Sequence, residues 1–312
     1  MPTFAYQSIN SNSSTNHGIS ASNSQHFTRM THNHQAANQD PSHLIMPTAD
    51  GLDPHTPIYG PAQLVAQAPQ GFMAKGQHSN AQFLSMIEGK ARQTLQHLYR
   101  SLGQTCDLLV YGEMNGANIE WSSMQQHAGG LVGASSTGKA CNSFSVHAAN
   151  TTQHQILGSG MGWIAVKSGN VNAVFVHVPN SIAKNEREAV FFYRTINNLL
   201  IQQGHGAIDL VMGDTNQGND SFTPSALSVA TGTFFRDAHT DDEVTPSDTY
   251  QISFAGTNST GSKKYDVAAY NTKTIRVAKV DYISQNTPVT VNGASMAASV
   301  TDHMGIFIDV TK

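Results

Sequence analysis

The sequence predicts an α/β sandwich of two packed mixed β-sheets with helices outside, and three observations carry that prediction. Two amphipathic helical periods each stop at a glycine and lead into a short apolar run that closes on an acidic residue. A β-hairpin pattern lies between these two units, and three more strand candidates follow them. Sheets that alternate with core helices must bury their faces against other layers, which a sandwich does.

The first helical period is Leu84, Ile87, Ala91, Leu95, Leu98 and Leu102, before Gly103. Residues 107–113 then form a run that fills a buried strand and ends in Glu113. Residues 115–160, rich in Gly, Ser and Asn, carry no clear period. Residues 162–167 and 171–178, joined through Ser168, Gly169 and Asn170, read as a hairpin whose second strand delivers His177 near its end, with Pro179 and Asn180 as the stop. The second helical period is Ala189, Phe192, Ile196 and Leu199, closed by Gly204, and residues 207–212 form the next strand, running into Asp214 and Asn216. Residues 217–260 read as a long polar loop, and residues 265–270, 274–282 and 305–310 as later strands.

Composition narrows the function. The chain has 312 residues, with 17 Lys+Arg against 21 Asp+Glu and a net charge of −4, which excludes a strongly basic polyanion binder. Only 12% of residues are charged, where about 25% is usual, so Ser, Thr, Asn, Gln and His must wet the surface. No apolar run approaches the roughly 18 residues of a membrane helix, and the opening residues lack the basic and apolar regions of a secretory signal. A soluble protein without membrane insertion is expected. Two cysteines, Cys106 and Cys141, are too few for a disulfide framework, and their spacing leaves pairing and compartment open.

Within residues 1–50, 28 are Ser, Thr, Asn, Gln or His and three are charged. Such a segment buries too little to offset its ordering entropy, so it reads as a polar flexible arm. Its five histidines are irregularly spaced and have no accompanying cysteines. Residues 51–70, with Pro54, Pro57, Pro61 and Pro69, read as an extended lead-in, and residues 71–312 as one catalytic domain.

Glu113, His177, Asp214 with Asn216, Asp266, and Asp302 with His303 each stand at or just past an apolar run. There the sheet holds the backbone while the side chain faces an open rim. Singly each has an ordinary reading: a turn for Gly-Asp-x-Asn, a rim histidine for His177, strand-end charges for the acids. Jointly, Leu-Leu-Val-Tyr-Gly-Glu113, Val-Phe-Val-His177, Met-Gly-Asp214-Thr-Asn216, Lys-Tyr-Asp266 and Thr-Asp302-His303 resemble the motifs of the endonuclease/exonuclease/phosphatase superfamily, in that family's order.

The resemblance implies a four-layered α/β sandwich and a magnesium-dependent phosphoester hydrolase, with manganese or calcium as alternatives. In that reading Glu113 is the principal metal ligand and Asp302 a second ligand or polar brace. Asp214 orients or deprotonates the attacking water, and Asn216 contacts phosphate or fixes the nucleophile. Asp266 holds the ring of His303, a general acid/base, and His177 contacts phosphate or protonates the leaving group. Two departures stand out. The family's first-strand asparagine aligns with Met73, and no Asp or Glu between Glu120 and Glu186 is at hand to pair with His177.

Within the family the deoxyribonuclease branch fits best, with DNA as substrate. Lys167, Lys184, Arg187, Arg194, Lys263 and Lys264 are candidates for a phosphate track. A phosphoinositide or lipid phosphatase and a degenerate binding module are the rival readings. A nuclease endangers its producer, so the resemblance also implies export as a toxin or effector by a non-classical route. The sequence does not identify an inhibitor or immunity partner.

Overall fold

The computed structural model describes residues 1–8, 106–113, 130–135, 144–217, 221–238, 265–283, 286–291, 294–299 and 305–312. They form an α/β sandwich of two six-stranded mixed sheets and a separate two-stranded ribbon. The first sheet contains β1 (Thr3–Ser8), β2 (Leu108–Gly112), β3 (Gly130–Ser135), β4 (Phe144–Ala148), β11 (Arg276–Ile283) and β14 (Gly305–Thr311), in the order β11-β14-β1-β2-β4-β3. The second contains β5 (His154–Gly160), β6 (Trp163–Ser168), β7 (Val171–His177), β8 (Leu210–Asp214), β9 (Phe235–Asp237) and β10 (Asp266–Asn271), in the order β5-β6-β7-β8-β10-β9. β12 (Asn286–Val291) and β13 (Ala294–Ser299) make the ribbon.

Alternation along the strands builds the core. Phe4 and Tyr6 of β1, Leu108 and Val110 of β2, and Ile306 and Ile308 of β14 meet Phe175 of β7 and Leu210 and Met212 of β8 between the sheets. The residues between them point to the opposite faces. On the second sheet, that outer face carries Val174, Val176 and Val211, which pack under helices α1 (Asn180–Ala183), α2 (Glu186–Gln202) and α3 (Thr223–Thr231).

α2 starts where Asn185 accepts from the backbone N–H groups of Arg187 and Glu188 at 3.0 and 3.4 Å. Glu186 and Glu188 in its first turn complement the helix dipole. It buries Ala189, Phe192, Tyr193, Ile196 and Leu200, and Gly204 follows at φ 78°. No helix among the described residues is long and apolar enough to cross a membrane.

Three expectations need correction or limiting. Residues 3–8 are not part of a flexible arm: they form a strand inside the first sheet, parallel to β2 and antiparallel to β14. Their alternation of Phe4 and Tyr6 with smaller or polar residues buries one side in the core, a signal that the surrounding polar sequence drowned. The segment 217–260 is not all loop, because α3 and β9 lie in it. α3 is readable from Pro224 in its first turn, buried Ala226, Leu227 and Ala230, and the left-handed Gly232 stop. The helix expected around residues 84–102, the remainder of the arm, the lead-in and Met73 lie outside the described residues.

Candidate active site

Both sheets have one parallel strand pair in the core, β1 with β2 and β7 with β8. The carboxyl ends of parallel strands are where α/β sheets leave a crevice. Both pairs end at the same place. Ser8 is in register with Gly112, the residue before Glu113, and His177 is in register with Asp214. β10 enters antiparallel, so that its first residue, Asp266, lies opposite Asp214. His177, Asp214 and Asp266 therefore stand in one row across three strands.

The two sheets meet through side chains. Nε2 of His177 lies 3.5 Å from Oε1 of Glu113 and 3.7 Å from Oδ2 of Asp214. The Ser8 hydroxyl donates to Oε2 of Glu113. Asp214 is 1% exposed, Asp266 0% and His177 7%, so the acidic row is largely removed from water while the Glu113 side is more open.

Backbone geometry holds these groups in place. The N–H of His177 donates to the carbonyl of Gly162 at 2.9 Å, and that of Val178 to the carbonyl of Asp214 at 2.8 Å. Oδ1 of Asp214 accepts the Asn216 N–H at 2.8 Å, and the Asn216 amide donates to the Val178 carbonyl at 2.8 Å. Thr215 donates from its N–H and hydroxyl to the Tyr265 carbonyl at 2.7 and 2.9 Å. Glu113 at φ 52° and Asn216 at φ 55° are the two non-glycine residues with positive φ among the described residues. Both are at this site, and backbone outliers of this kind cluster at active sites and ligand clamps.

The structure brings Glu113, His177, Asp214, Asn216 and Asp266 together. Asp302, His303, Lys263 and Lys264 lie outside the described residues. Lys167 is elsewhere: it pairs with Asn172 at the opposite end of β7, five residues or roughly 17 Å from His177. Arg194 is exposed and reaches the Val229 carbonyl of α3 at 3.4 Å. Lys184, just after α1, and Arg187, in the first turn of α2, are exposed on the stretch of chain that follows His177.

Two site residues escaped the sequence analysis, Tyr6 and Ser8. The strand parallel to β2 is β1, whereas Met73, aligned with the family's first-strand asparagine, lies outside the described residues. The last residue of β1, next to Glu113, is a serine. The missing partner of His177 is also explained, since Glu113 and Asp214 both face its ring.

Among the described residues no three His, Cys, Asp or Glu side chains form a complete metal cage. The donors present are nevertheless of the right kind for a hard dication, namely the Glu113 and Asp214 carboxylates beside hydroxyl and amide oxygens. A cluster of buried carboxylates repels itself, and a bound dication would relieve that repulsion.

No family model matches the sequence, and no curated protein does. Solved structures do match. An endonuclease/exonuclease/phosphatase family protein from Bacteroides thetaiotaomicron superposes with a TM-score of 0.51 at 12% identity, over 72% of this chain and 89% of that one. The mannosyl-6-phosphatase of the same organism gives 0.48 at 13% identity over 72% and 92%. D. rerio TDP2, complexed with a single-stranded DNA product, gives 0.45 at 13% identity over 72% and 93%. The fold of this chain is the DNase I-like α/β sandwich of endonuclease/exonuclease/phosphatase proteins.

Proposed function

We propose that this chain is a divalent-cation-dependent phosphodiesterase and that DNA is its substrate. One observation carries the reading: Glu113 from one sheet and His177, Asp214 and Asp266 from the other converge at the carboxyl ends of both parallel strand pairs. The fold shared with endonuclease/exonuclease/phosphatase proteins supports it.

Magnesium, or manganese or calcium, bound at Glu113 would neutralise charge on the phosphate as the attacking oxygen adds. Asp214, fixed by the Asn216 N–H, accepts a proton from the attacking water. Asn216 uses one amide hydrogen on Val178 and has a second for a phosphate oxygen. His177, bracketed by two carboxylates, donates a hydrogen bond or proton toward the departing oxygen. Asp266 is assigned to orient His303, and Asp302 to brace the cation.

The test is nicking of supercoiled plasmid with magnesium, with and without chelator, beside Asp214→Ala and His177→Ala. Nicking by the wild type alone, lost on chelation, is the expected result. An intact plasmid under all conditions would reject the DNA reading. The toxin or effector role belongs to the same proposal, and its test is whether the induced wild-type chain, unlike Asp214→Ala, kills a producing host.

A second reading rests on where the cations sit. With Lys167 at the far end and Arg194 against α3, Lys184 and Arg187, on the stretch of chain that follows His177, are the remaining track candidates among the described residues. That favours a small phosphorylated molecule over a long polyanion. Phosphate release from phosphomonoesters or phosphoinositides without plasmid nicking would select this reading.

A further inference from the structure

Tyr6 is 0% exposed and lies where the two halves of the site meet. Its ring crosses from β1 beneath Gly112, so closely that a Cβ on Gly112 would lie 2.3 Å from the phenolic oxygen. The same oxygen is within electrostatic reach of Asp214, Asp266 and Glu113, and faces the backbone of Asp214. Burial first, then those three carboxylates, push the phenol well above its ordinary value, so it stays a neutral donor. Beyond the Asp214 backbone that it faces, no group among the described residues receives the hydrogen of that hydroxyl, an arrangement that costs stability and calls for an explanation.

We infer that Tyr6 is a positioning residue of the cation site: its hydroxyl donates a hydrogen bond to a water held among Glu113, Asp214 and Asp266. The inference rests on the proposed cation-dependent activity. A water there has the polar neighbours it needs, with three carboxylates to receive its hydrogens and the phenol to donate to its oxygen. It would carry the influence of a residue buried between the sheets to the groups that hold the cation. Gly112 is the only residue type that leaves room for this phenol.

The experiment is titration of the full chain with magnesium chloride or manganese chloride by calorimetry, for wild type, Tyr6→Phe and Tyr193→Phe. Tyr193 is the matched control: it is equally buried, and its hydroxyl sits beside Thr223, under the helices. Tyr6→Phe is expected to weaken cation affinity about five- to tenfold. It should leave the melting temperature unchanged or higher and raise the magnesium concentration for half-maximal activity more than it lowers kcat. Tyr193→Phe is expected to bind cations like the wild type. Equal affinities for all three proteins would overturn the inference while leaving the proposed activity intact. Loss of cooperative unfolding in Tyr6→Phe would assign the hydroxyl to the fold and overturn it as well. A wild type that binds neither cation would overturn the proposed activity and this inference together.

Discussion

His177 and Asp214 are register partners across the parallel strands β7 and β8, and the imidazole Nε2 of one stands 3.7 Å from the carboxylate Oδ2 of the other. The pairing makes the sheet a ruler. Neither side chain can shift along its strand without breaking the ladder that holds both. On its other side Asp214 is in register with Asp266, so the same ruler also sets two buried carboxylates side by side.

That crowding predicts a trade between function and stability. Asp214→Asn keeps an oxygen to accept the Asn216 N–H but removes one negative charge from the row. Phosphodiester cleavage is expected to fall about 10²- to 10⁴-fold. The melting temperature measured in chelator should stay level or rise, because like-charge repulsion is relieved. A parallel fall in both quantities would mean that the carboxylate serves the fold.

Glu113 allows backbone and carboxylate to be separated. Its φ of 52° favours glycine, so Glu113→Gly should be more stable than Glu113→Gln by up to about 1 kcal/mol. On the proposed function both should be inactive, since neither would provide a carboxylate for a cation. Urea denaturation of the two variants reads the difference, and equal midpoints would show that the backbone there carries no strain.

Most of the second sheet is legible in the sequence because its signals are local. The hairpin of β6 and β7, the Asn185-capped α2 and the strand β8 lie within a single stretch, each with its own stop signal. Glu113, His177 and Asp214 are legible for a related reason: each ends an apolar run, and the end of a buried strand is a rim, as is the start of β10 where Asp266 stands. β1 is not legible, since its six residues sit in a polar context and its partner strand is about a hundred residues away. Ser8 and Tyr6 were missed with it, as neither has a recognisable meaning until Glu113 and Gly112 are placed beside them. The end signals of α3, Pro224 and Gly232, stand in the sequence, but the helix was missed because its buried face, Thr223, Ala226, Leu227 and Ala230, has one large apolar residue and gives little contrast with its exposed one.

Gly213, one residue before Asp214, predicts how little freedom the ruler has. Its φ is 136°, and a Cβ there would lie 2.1 Å from the Val176 carbonyl oxygen of the adjacent strand. Gly213→Ala must therefore separate β7 from β8 or rotate the backbone that presents Asp214. A loss of more than about 3 kcal/mol is expected in denaturant unfolding. Gly169→Ala is the control, because that turn glycine also has positive φ but nothing within 4 Å of the added methyl. It should cost only the backbone penalty, about 1 kcal/mol.

His154, at the start of β5, predicts a pH dependence unrelated to the site. Burial lowers its imidazole below the ordinary 6.5, with Asp107 partly opposing. Above pH 6.5 the ring is neutral whether the chain is folded or unfolded, and its contribution to stability is fully present. As pH falls below that value the unfolded chain takes up the proton first. Stability is then lost until the folded value is passed, where the loss levels off. The melting temperature should thus decline more steeply below pH 6.5 for wild type than for His154→Gln. Coincident pH profiles would rule out the half-buried imidazole as the cause.

The end of the sandwich opposite the site is closed by a carboxylate with a different task. Asp209 is 2% exposed and just precedes β8. It accepts from Nζ of Lys312 at 2.6 Å, from the Thr274 hydroxyl at 2.7 Å and from the Asn172 N–H at 2.9 Å. The first donor follows β14 of one sheet, while the others belong to the second sheet and the turn that leads out of it, so a single side chain ties the layers together. Asp209→Ala strands the Asn172 N–H and the Thr274 hydroxyl, and should cost about 3 kcal/mol. Lys312→Ala leaves the carboxylate its two other donors and a lysine site open enough for water to replace the ammonium. It should cost nearer 1 kcal/mol. Because this clamp and the acidic row are at opposite ends of β8, kcat measured well below the melting temperature should be unchanged in both variants. A fall in kcat that follows the lost stability would show instead that the clamp sets the spacing of the sheets at the site.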